Sequence, residues 1–353
     1  MKIHITNCPK KAPYHYVNLI ADAFKKLGND VFEFDDNDYS SFYLKIDSFI
    51  RRSPFFVLNK KNPENFDFKQ KHKDFIGKQW LKTLKDFNPD VSLIINTGWL
   101  SIESIKIAKE KFNIPRIICW VVDDPGNSAA EDLVEALPYC DIVFSTDPGW
   151  IPFIKFFNKN IFYLPLASSE LFYKPVSVSR DLDFSFVGSF FRKDPAGFLR
   201  ALIISNLPDN FKSVEIYGPG INFFENIYPR LKNFNCYNKI INADKVNNIW
   251  NRSKLTATIY HPQVIDGTSP RVFDAALTKT PQIIQYTSTI SGLFPCIDLP
   301  LFNSVPEFIS KADYYLSRPK ESKELAEAMF DIVKNKHLFV HRVKTIMEFL
   351  DKK

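Results

Sequence analysis

Residues 266–277, DGTSPRVFDAAL, gather a serine, a proline, an arginine and an aspartate where a helix should begin. Ser269 suits an N-cap, whose side-chain oxygen accepts a hydrogen bond from a free amide of the first turn. Pro270 suits the first helical position, where its missing N–H is not needed. Arg271 in that turn opposes the positive end of the helix dipole, at a cost of roughly a few tenths of a kcal/mol unless an anion sits there too. Asp274 follows one turn later on the same face. Either the two form an i, i+3 salt bridge, or Asp274 accepts from ribose hydroxyls while Arg271 approaches phosphate. Two further turns favour the second reading. FVGSFFRKD leaves a β-type run through Gly188 and Ser189 and supplies Arg192 and Lys193, and IYGPG leaves another through Tyr217, Gly218 and Gly220. Glycines that admit close approach, guanidinium and ammonium groups and a helix N-terminus together describe a phosphate or pyrophosphate site.

Three other positions carry candidate chemistry. Asp123 and Asp124 end the apolar run RIICWVV. Paired carboxylates there could bind or orient a substrate hydroxyl, Asp123 being the better candidate for catalysis, or they could cap the following turn with Pro125. His15 stands in NCPKKAPYHYVN after the first strand and could reach a substrate or lie on the surface. His261 follows TATIY close to Asp266, where it could touch a bound ligand or merely pack.

The elements that must position these residues alternate. KIHIT, VNLIADAFKKLG, DVFEF, DVSLIIN, IKIAKEKF, RIICWVV, DIVFST and IFYLPL read as strands separated by helices, which calls for a parallel sheet covered on both faces. Gly28 marks the end of the first helix. Between residues 40 and 88 the pattern is helical, and Phe75, Ile76, Trp80, Leu84 and Phe87 form a core stripe. After LASSELFYKPVSVSRDL the alternation restarts with DFSFVGS, PAGFLRALIIS, SVEIYG, LTATIYH, the helix after Ser269, and QIIQY. The expected organisation is a first domain over 1–175, a second over 176–338 with a linker near 172–182, and a C-terminal helix at 339–353 able to pack back on the first. Doubly wound sheets bind ligands beyond the carboxyl ends of their strands, so paired domains make a facing crevice the natural site.

Composition agrees with this class. The 353 residues suit two domains, and 45% hydrophobic with 24% charged residues is ordinary for a chain with a substantial core. The net charge of +6 is spread out except for NKK and KQKHK between residues 59 and 73, which reads as a solvated surface rather than a nucleic-acid site and leaves at most a peripheral membrane contact. Five separated cysteines without a CxxC motif suggest neither a disulfide framework nor zinc. Without a signal sequence or membrane-length apolar run, a soluble cytoplasmic protein is expected.

DGTSPRVFDAALTKTPQIIQY, residues 266–286, resembles the nucleotide-sugar motif of group 1 glycosyltransferases of the GT-B fold, and most of all their CgeB-like branch with its Ser-x-Arg-x-Phe-Glu-Ala core. WVVDDP (120–125) is similar to that branch's Trp-(x)-(x)-Asp-Asp-Pro, FVGS (186–189) to its glycine-containing strand end, and residues 305–350 to its C-terminal helices. The resemblance implies an α/β chain of two doubly wound Rossmann-like domains facing a central crevice. It further implies transfer of a hexose-type sugar, with nucleotide-sugar as substrate, no cofactor and no metal, and weakly favours retention of configuration. Asp266 and Asp274 occupy the spacing of the group's two glutamates, each one methylene shorter. By that correspondence Asp274 holds ribose, the turn Asp266, Gly267, Thr268 and Ser269 meets sugar and phosphates, and Arg192 neutralises pyrophosphate. LTKTP lacks the glycine that usually ends this helix, so Lys279 is expected to take left-handed backbone at a cost of about 1 kcal/mol.

Rival classes use the residues less well. A nicotinamide-dependent dehydrogenase would need glycines in the first turn, which has none. A metal-dependent transferase would use Asp123 and Asp124 to hold a cation on the donor phosphates, a neutralisation the basic turns already provide. A GT-B-shaped protein that binds nucleotide or glycan without catalysis is the remaining alternative. The acceptor, whether protein, glycan or small molecule, is not encoded in any motif.

Overall fold

The structure, a computed structural model, describes residues 1–9, 15–39, 68–96, 98, 100–112, 114–126, 131–192 and 194–351. The helical pattern expected over 40–67 and much of the basic run at 59–73 lie outside the described residues, as does Lys193. The chain divides into two compact units, Met1–Leu164 and Pro165–Lys353.

In the first unit the order is β1 (Lys2–Ile5), α1 (Tyr16–Lys26), β2 (Asp30–Glu33), α2 (Phe68–Phe87), β3 (Val91–Ile95), α3 (Ile102–Glu110), β4 (Arg116–Val121), α4 (Glu131–Ala136), β5 (Ile142–Ser145), α5 (Ile151–Ile154) and β6 (Ile161–Tyr163). The strands pair in parallel in the order β2-β1-β3-β4-β5-β6. Every residue of β3 is buried, as a central parallel strand covered on both faces requires. The stripe on α2 places Ile76, Trp80 and Leu84 in the core, with Phe75 packed against them. The order reverses direction between β1 and β3, so the turns leaving those strands flank a switch point.

The second unit contains β7 (Phe184–Val187), α6 (Pro195–Ser205), β8 (Val214–Tyr217), α7 (Ile221–Phe224), β9 (Asn235–Tyr237), α8 (Ala243–Arg252), β10 (Thr256–Thr258), α9 (Pro270–Leu277), β11 (Gln282–Gln285), α10 (Ile290–Leu293) and β12 (Leu301–Phe302). Three helices follow: α11 (Val305–Ser317), α12 (Pro319–Lys336) and α13 (Phe339–Asp351). The sheet runs β12-β11-β10-β7-β8-β9, all parallel, with its switch point between β7 and β10. This is the dinucleotide-fold strand order, and it brings Gly188, Ser189, Tyr260 and His261 to adjoining strand ends.

Polar anchors attach the connecting segment and the C-terminus within the second unit. Lys174 N–H donates to Asn247 Oδ1 at 2.9 Å and Val176 N–H to Asn251 Oδ1 at 2.7 Å, which lays the segment before β7 along α8. Arg342 of α13, 6% exposed, donates to Pro165 O at 2.7 Å, to Lys336 O at 3.0 Å and to Leu166 O at 3.1 Å. Three carbonyls thus satisfy a buried guanidinium that would otherwise be costly.

Glycine is demanded where the turns after β7 and β8 cross. A Cβ on Gly218 would stand 1.8 Å from Gly188 O, and one on Gly220, whose φ is 91°, would stand 2.2 Å from Phe190 O. Gly188 N–H donates to Tyr217 O and Phe190 N–H to Pro219 O, which locks one turn against the other. Gly28 after α1 also has positive φ, 81°, but an added Cβ there meets nothing within 4 Å. Gly218→Ala should therefore cost at least the roughly 1–3 kcal/mol of an overpacked core site, and Gly28→Ala only the roughly 1–2 kcal/mol of left-handed backbone. Urea denaturation midpoints of the two variants check the ranking; equal losses would remove the turn-on-turn argument.

Candidate active site

The helix start read from DGTSPRVFDAAL is present: Ser269 is the N-cap of α9, its Oγ accepts from Arg271 N–H at 3.3 Å, and Pro270 holds the first helical position. Arg271 and Asp274 form no salt bridge among the described residues. The Arg271 guanidinium lies 6.0 Å above the Trp250 ring and finds no carboxylate or carbonyl partner among the described residues. It borders a cavity of about 250 Å³ with Gly188, Ser189, Tyr217, Gly218 and Lys239. Two cations and the amino end of α9 therefore meet at one hollow, where an anion gains from all three.

A third cation acts beneath it. Arg200 of α6 donates to Ser189 O at 2.8 Å and Ser189 Oγ at 3.2 Å, and reaches Ile259 O at 3.4 Å, tying the ends of β7 and β10 together. Burial lowers its pKa to about 10; Asp194 works against that shift and the nearby charge of Arg271 adds to it. His261 braces the same place, its Nε2–H donating to Asp194 Oδ1 at 2.9 Å while Nδ1 accepts from Gln263 N–H at 3.2 Å. These two contacts fix which ring nitrogen carries the proton of the neutral ring.

Asp274 is buried, with Ser168 Oγ donating to its Oδ1 at 2.6 Å. Burial raises its pKa to about 7, outweighing the opposing effects of the Ser168 hydrogen bond and the Arg271 charge. Ser168 is itself held by parallel pairing with the turn between α12 and α13, its N–H donating to His337 O at 3.0 Å. The remaining donor-side candidates spread around this centre. Thr268 is buried with its hydroxyl 3.0 Å from that of Tyr260, Gly267 is buried, and Asp266 is partly exposed with its carbonyl accepting from Thr289. Tyr217 donates to Glu215 Oε2 at 2.9 Å and stacks on Tyr237 at 4.4 Å. Arg192 is exposed over the Phe223 ring at 4.8 Å and is not among the residues bordering the Arg271 cavity.

A second cluster forms in the first unit at its switch point. Asn96, at the end of β3 with φ 47°, donates from Nδ2 to Asp123 Oδ2 at 2.7 Å and accepts at Oδ1 from Val122 N–H at 2.9 Å. Asp123 is exposed, and its charge reaches both His15 and Tyr16. His15 caps α1, its Nδ1 accepting from Val17 N–H at 3.4 Å, and burial holds its imidazole below the usual range against the pull of Asp123. Asp124 accepts from Gly126 N–H at 2.8 Å and closes its own turn, which is the capping role. Among the described residues no group of three His, Cys, Asp or Glu side chains is placed to hold a metal ion, and no helix is long and apolar enough to cross a membrane.

Sequence reasoning passed over Ser168, Arg200, Trp250, Lys239, Asn96 and Tyr16. Asn96 carried a signal, since asparagine after an apolar strand tolerates left-handed backbone and can bond locally. Arg200 carried another, as a lone cation inside an otherwise apolar helix pattern.

Asp274 predicts a pH dependence. Its folded pKa stands above the unfolded value, so the folded state keeps a proton that the unfolded chain loses above about pH 4. That stabilisation is fully present below pH 4 and is lost as pH rises through about 7. Between pH 5 and 8 the wild type should lose at most about 3 kcal/mol from this group, and Asp274→Asn should lose none of it. Denaturation curves of both proteins at the two pH values provide the check; parallel curves would mean that Asp274 is ionised throughout.

Comparison with known proteins adds three findings. Residues 192–348 match a family described as glycosyl transferase-like. No curated protein matches the chain. Among solved structures, sucrose-phosphate synthase from Thermosynechococcus elongatus is similar over 100% of this chain and 98% of its own, with a TM-score of 0.69 and 11% identity. A glycosyltransferase from Rickettsia africae covers 99% and 98% with a TM-score of 0.64 and 12% identity. Anabaena Alr3699/HepE in complex with UDP-glucose covers 100% of both chains with a TM-score of 0.65 and 9% identity. The chain therefore has the α/β fold of GT-B glycosyltransferases, and its C-terminal part, from Arg192 to Glu348, matches the glycosyl transferase-like family.

Proposed function

We propose that this protein transfers a sugar, of hexose type, from a nucleoside-diphosphate donor to an acceptor hydroxyl, as a cytoplasmic enzyme of the CgeB-like branch of group 1 glycosyltransferases. The observation that carries the reading is the guanidinium of Arg271 at the amino end of α9, which has no carboxylate or carbonyl partner among the described residues and borders the same cavity as Lys239, Gly188 and Ser189. A pyrophosphate supplies the negative charge that this end of the helix and these cations lack. Support for a nucleotide-sugar comes from Alr3699/HepE, which shares the fold and is held in complex with UDP-glucose.

In this reading the second unit holds the donor, with Arg271, Lys239 and the first amides of α9 on the phosphates. Asp274, steadied by Ser168, receives ribose hydroxyls, and the turn from Asp266 to Ser269 meets the sugar. The first unit supplies Asp123, which Asn96 orients and His15 neighbours, to position the acceptor hydroxyl. With retention and without metal, the bond from the anomeric carbon to phosphate oxygen breaks, the acceptor oxygen bonds to that carbon, and its proton passes to the departing phosphate. Electrostatic neutralisation of the leaving diphosphate is then the main service of the protein.

Two variants test the donor and acceptor assignments separately. Arg271→Ala should weaken UDP binding by roughly 1.5–3 kcal/mol while scarcely changing uridine binding, since its proposed partner is phosphate. Titration calorimetry with both ligands decides, and equal losses would assign Arg271 a structural role. Asp123→Asn should leave UDP affinity near normal and lower sugar transfer by less than the roughly 10²–10⁴-fold of a lost general base, since the departing phosphate takes the proton and Asp123 orients the hydroxyl. Normal turnover in that variant would refute the role of Asp123, and a wild type that binds UDP-glucose but neither transfers nor hydrolyses it would be a binding module.

A further inference from the structure

At the amino ends of β10 and β11, away from the strand ends that carry Gly188 and His261, lies a separate cavity of about 270 Å³. Four cations border it, Arg180, Lys254, Lys279 and Lys323, against one carboxylate, Glu327. Two of the four are compensated: Lys254 lies 2.8 Å from Asp183, and Lys323 lies 4.0 Å from Glu327. Among the described residues the other two have no carboxylate partner. Arg180 donates only to neutral acceptors, Lys279 O at 2.7 Å, Trp250 O at 3.2 Å, Thr280 Oγ1 at 3.5 Å and Ser253 O. Lys279, at φ 54°, has its ammonium over the Phe330 ring at 4.7 Å.

A third feature points to a missing partner. The first turns of the eighteen-residue α12 border the cavity through Pro319, Ser322 and Lys323. Ser322 is 4% exposed, and its hydroxyl has no hydrogen-bond partner among the described residues. A buried hydroxyl without a partner is costly in a folded protein unless something else occupies the site. The rest of the wall is apolar, from Pro281, Tyr315, Leu316 and Pro319. Inorganic phosphate would satisfy the cations and leave that wall wet; an anion with an organic body covers both.

We propose that this cavity is a second ligand site, taking a small organic phosphate monoester whose phosphate accepts from Ser322 and Lys279 near Arg180 and whose body lies on Tyr315 and Leu316. The site is distinct from the Arg271 cavity and stands whether or not the protein transfers a sugar.

Phenyl phosphate is the probe, titrated calorimetrically into the full chain. The wild type should bind it at least about ten-fold more tightly than inorganic phosphate. Ser322→Ala removes an orphaned hydroxyl and Lys279→Gly relieves left-handed backbone, so both variants should keep or raise the melting temperature while affinity falls by about ten-fold or more. Arg271→Ala should retain wild-type affinity for phenyl phosphate. Absence of binding at millimolar probe, unchanged affinity in both Ser322→Ala and Lys279→Gly, equal binding of inorganic phosphate, or loss in Arg271→Ala would each overturn the proposal.

Discussion

Parallel pairing governs this molecule more than any other constraint. Each strand of both sheets runs the same way as its neighbours, so each sheet releases all its chains at one end and must return them by crossovers. Where the strand order reverses, no crossover covers the gap, and the exposed ends of two neighbouring strands are free to hold functional groups. In the second unit that gap lies between β7 and β10, and the Arg271 cavity borders the turn leaving β7. In the first it lies between β1 and β3, next to Asn96 and Asp123. Beyond strand order, the second unit's cluster needs glycine where two turns cross, and the first unit's needs left-handed backbone at Asn96.

What the turns add is local electrostatics. The amino end of α9 already favours negative charge, yet the residue placed there is a cation, and another guanidinium, that of the partly buried Arg200, acts on it electrostatically. Like charges held together in a folded protein raise the cost of the unliganded state and thereby sharpen the preference for an anion. The carboxylate of Asp274 lies one turn deeper, buried and bonded to Ser168, so it does not neutralise Arg271 by direct contact. Separation of the two charges by burial keeps the cation available.

Legibility in the sequence followed the range of the interactions. Runs such as VSLII and RIICWV announce central strands by composition alone, and Ser269 with Pro270 announces a helix start, because both signals are carried by consecutive residues. The strands β9 and β12, NCY and LF, are too short to show any period and exist because neighbouring strands pair with them. The partners of Ser168 and Asn96 were invisible for a related reason. Each acts on a residue far along the chain, 106 positions away for Ser168 and Asp274 and 27 for Asn96 and Asp123, and only the fold makes them neighbours. The glycines at 188, 218 and 220 suggested room for a ligand, whereas the structure shows that turn-on-turn packing already requires two of them.

The shortness of α9 has a mechanical consequence. Eight residues of helix span about 12 Å, too few to bend, so the helix moves as a rod. Arg271 in its first turn borders one cavity, and Lys279, two residues beyond its last, borders the other. No flexible loop lies between them to absorb a displacement. Arg180 grips the far end at Lys279 O and also holds Trp250 O, whose ring lies under Arg271, so the rod and its bearing are fastened at the same point. The two cavities are therefore joined by one short, straight element whose far end is held in place.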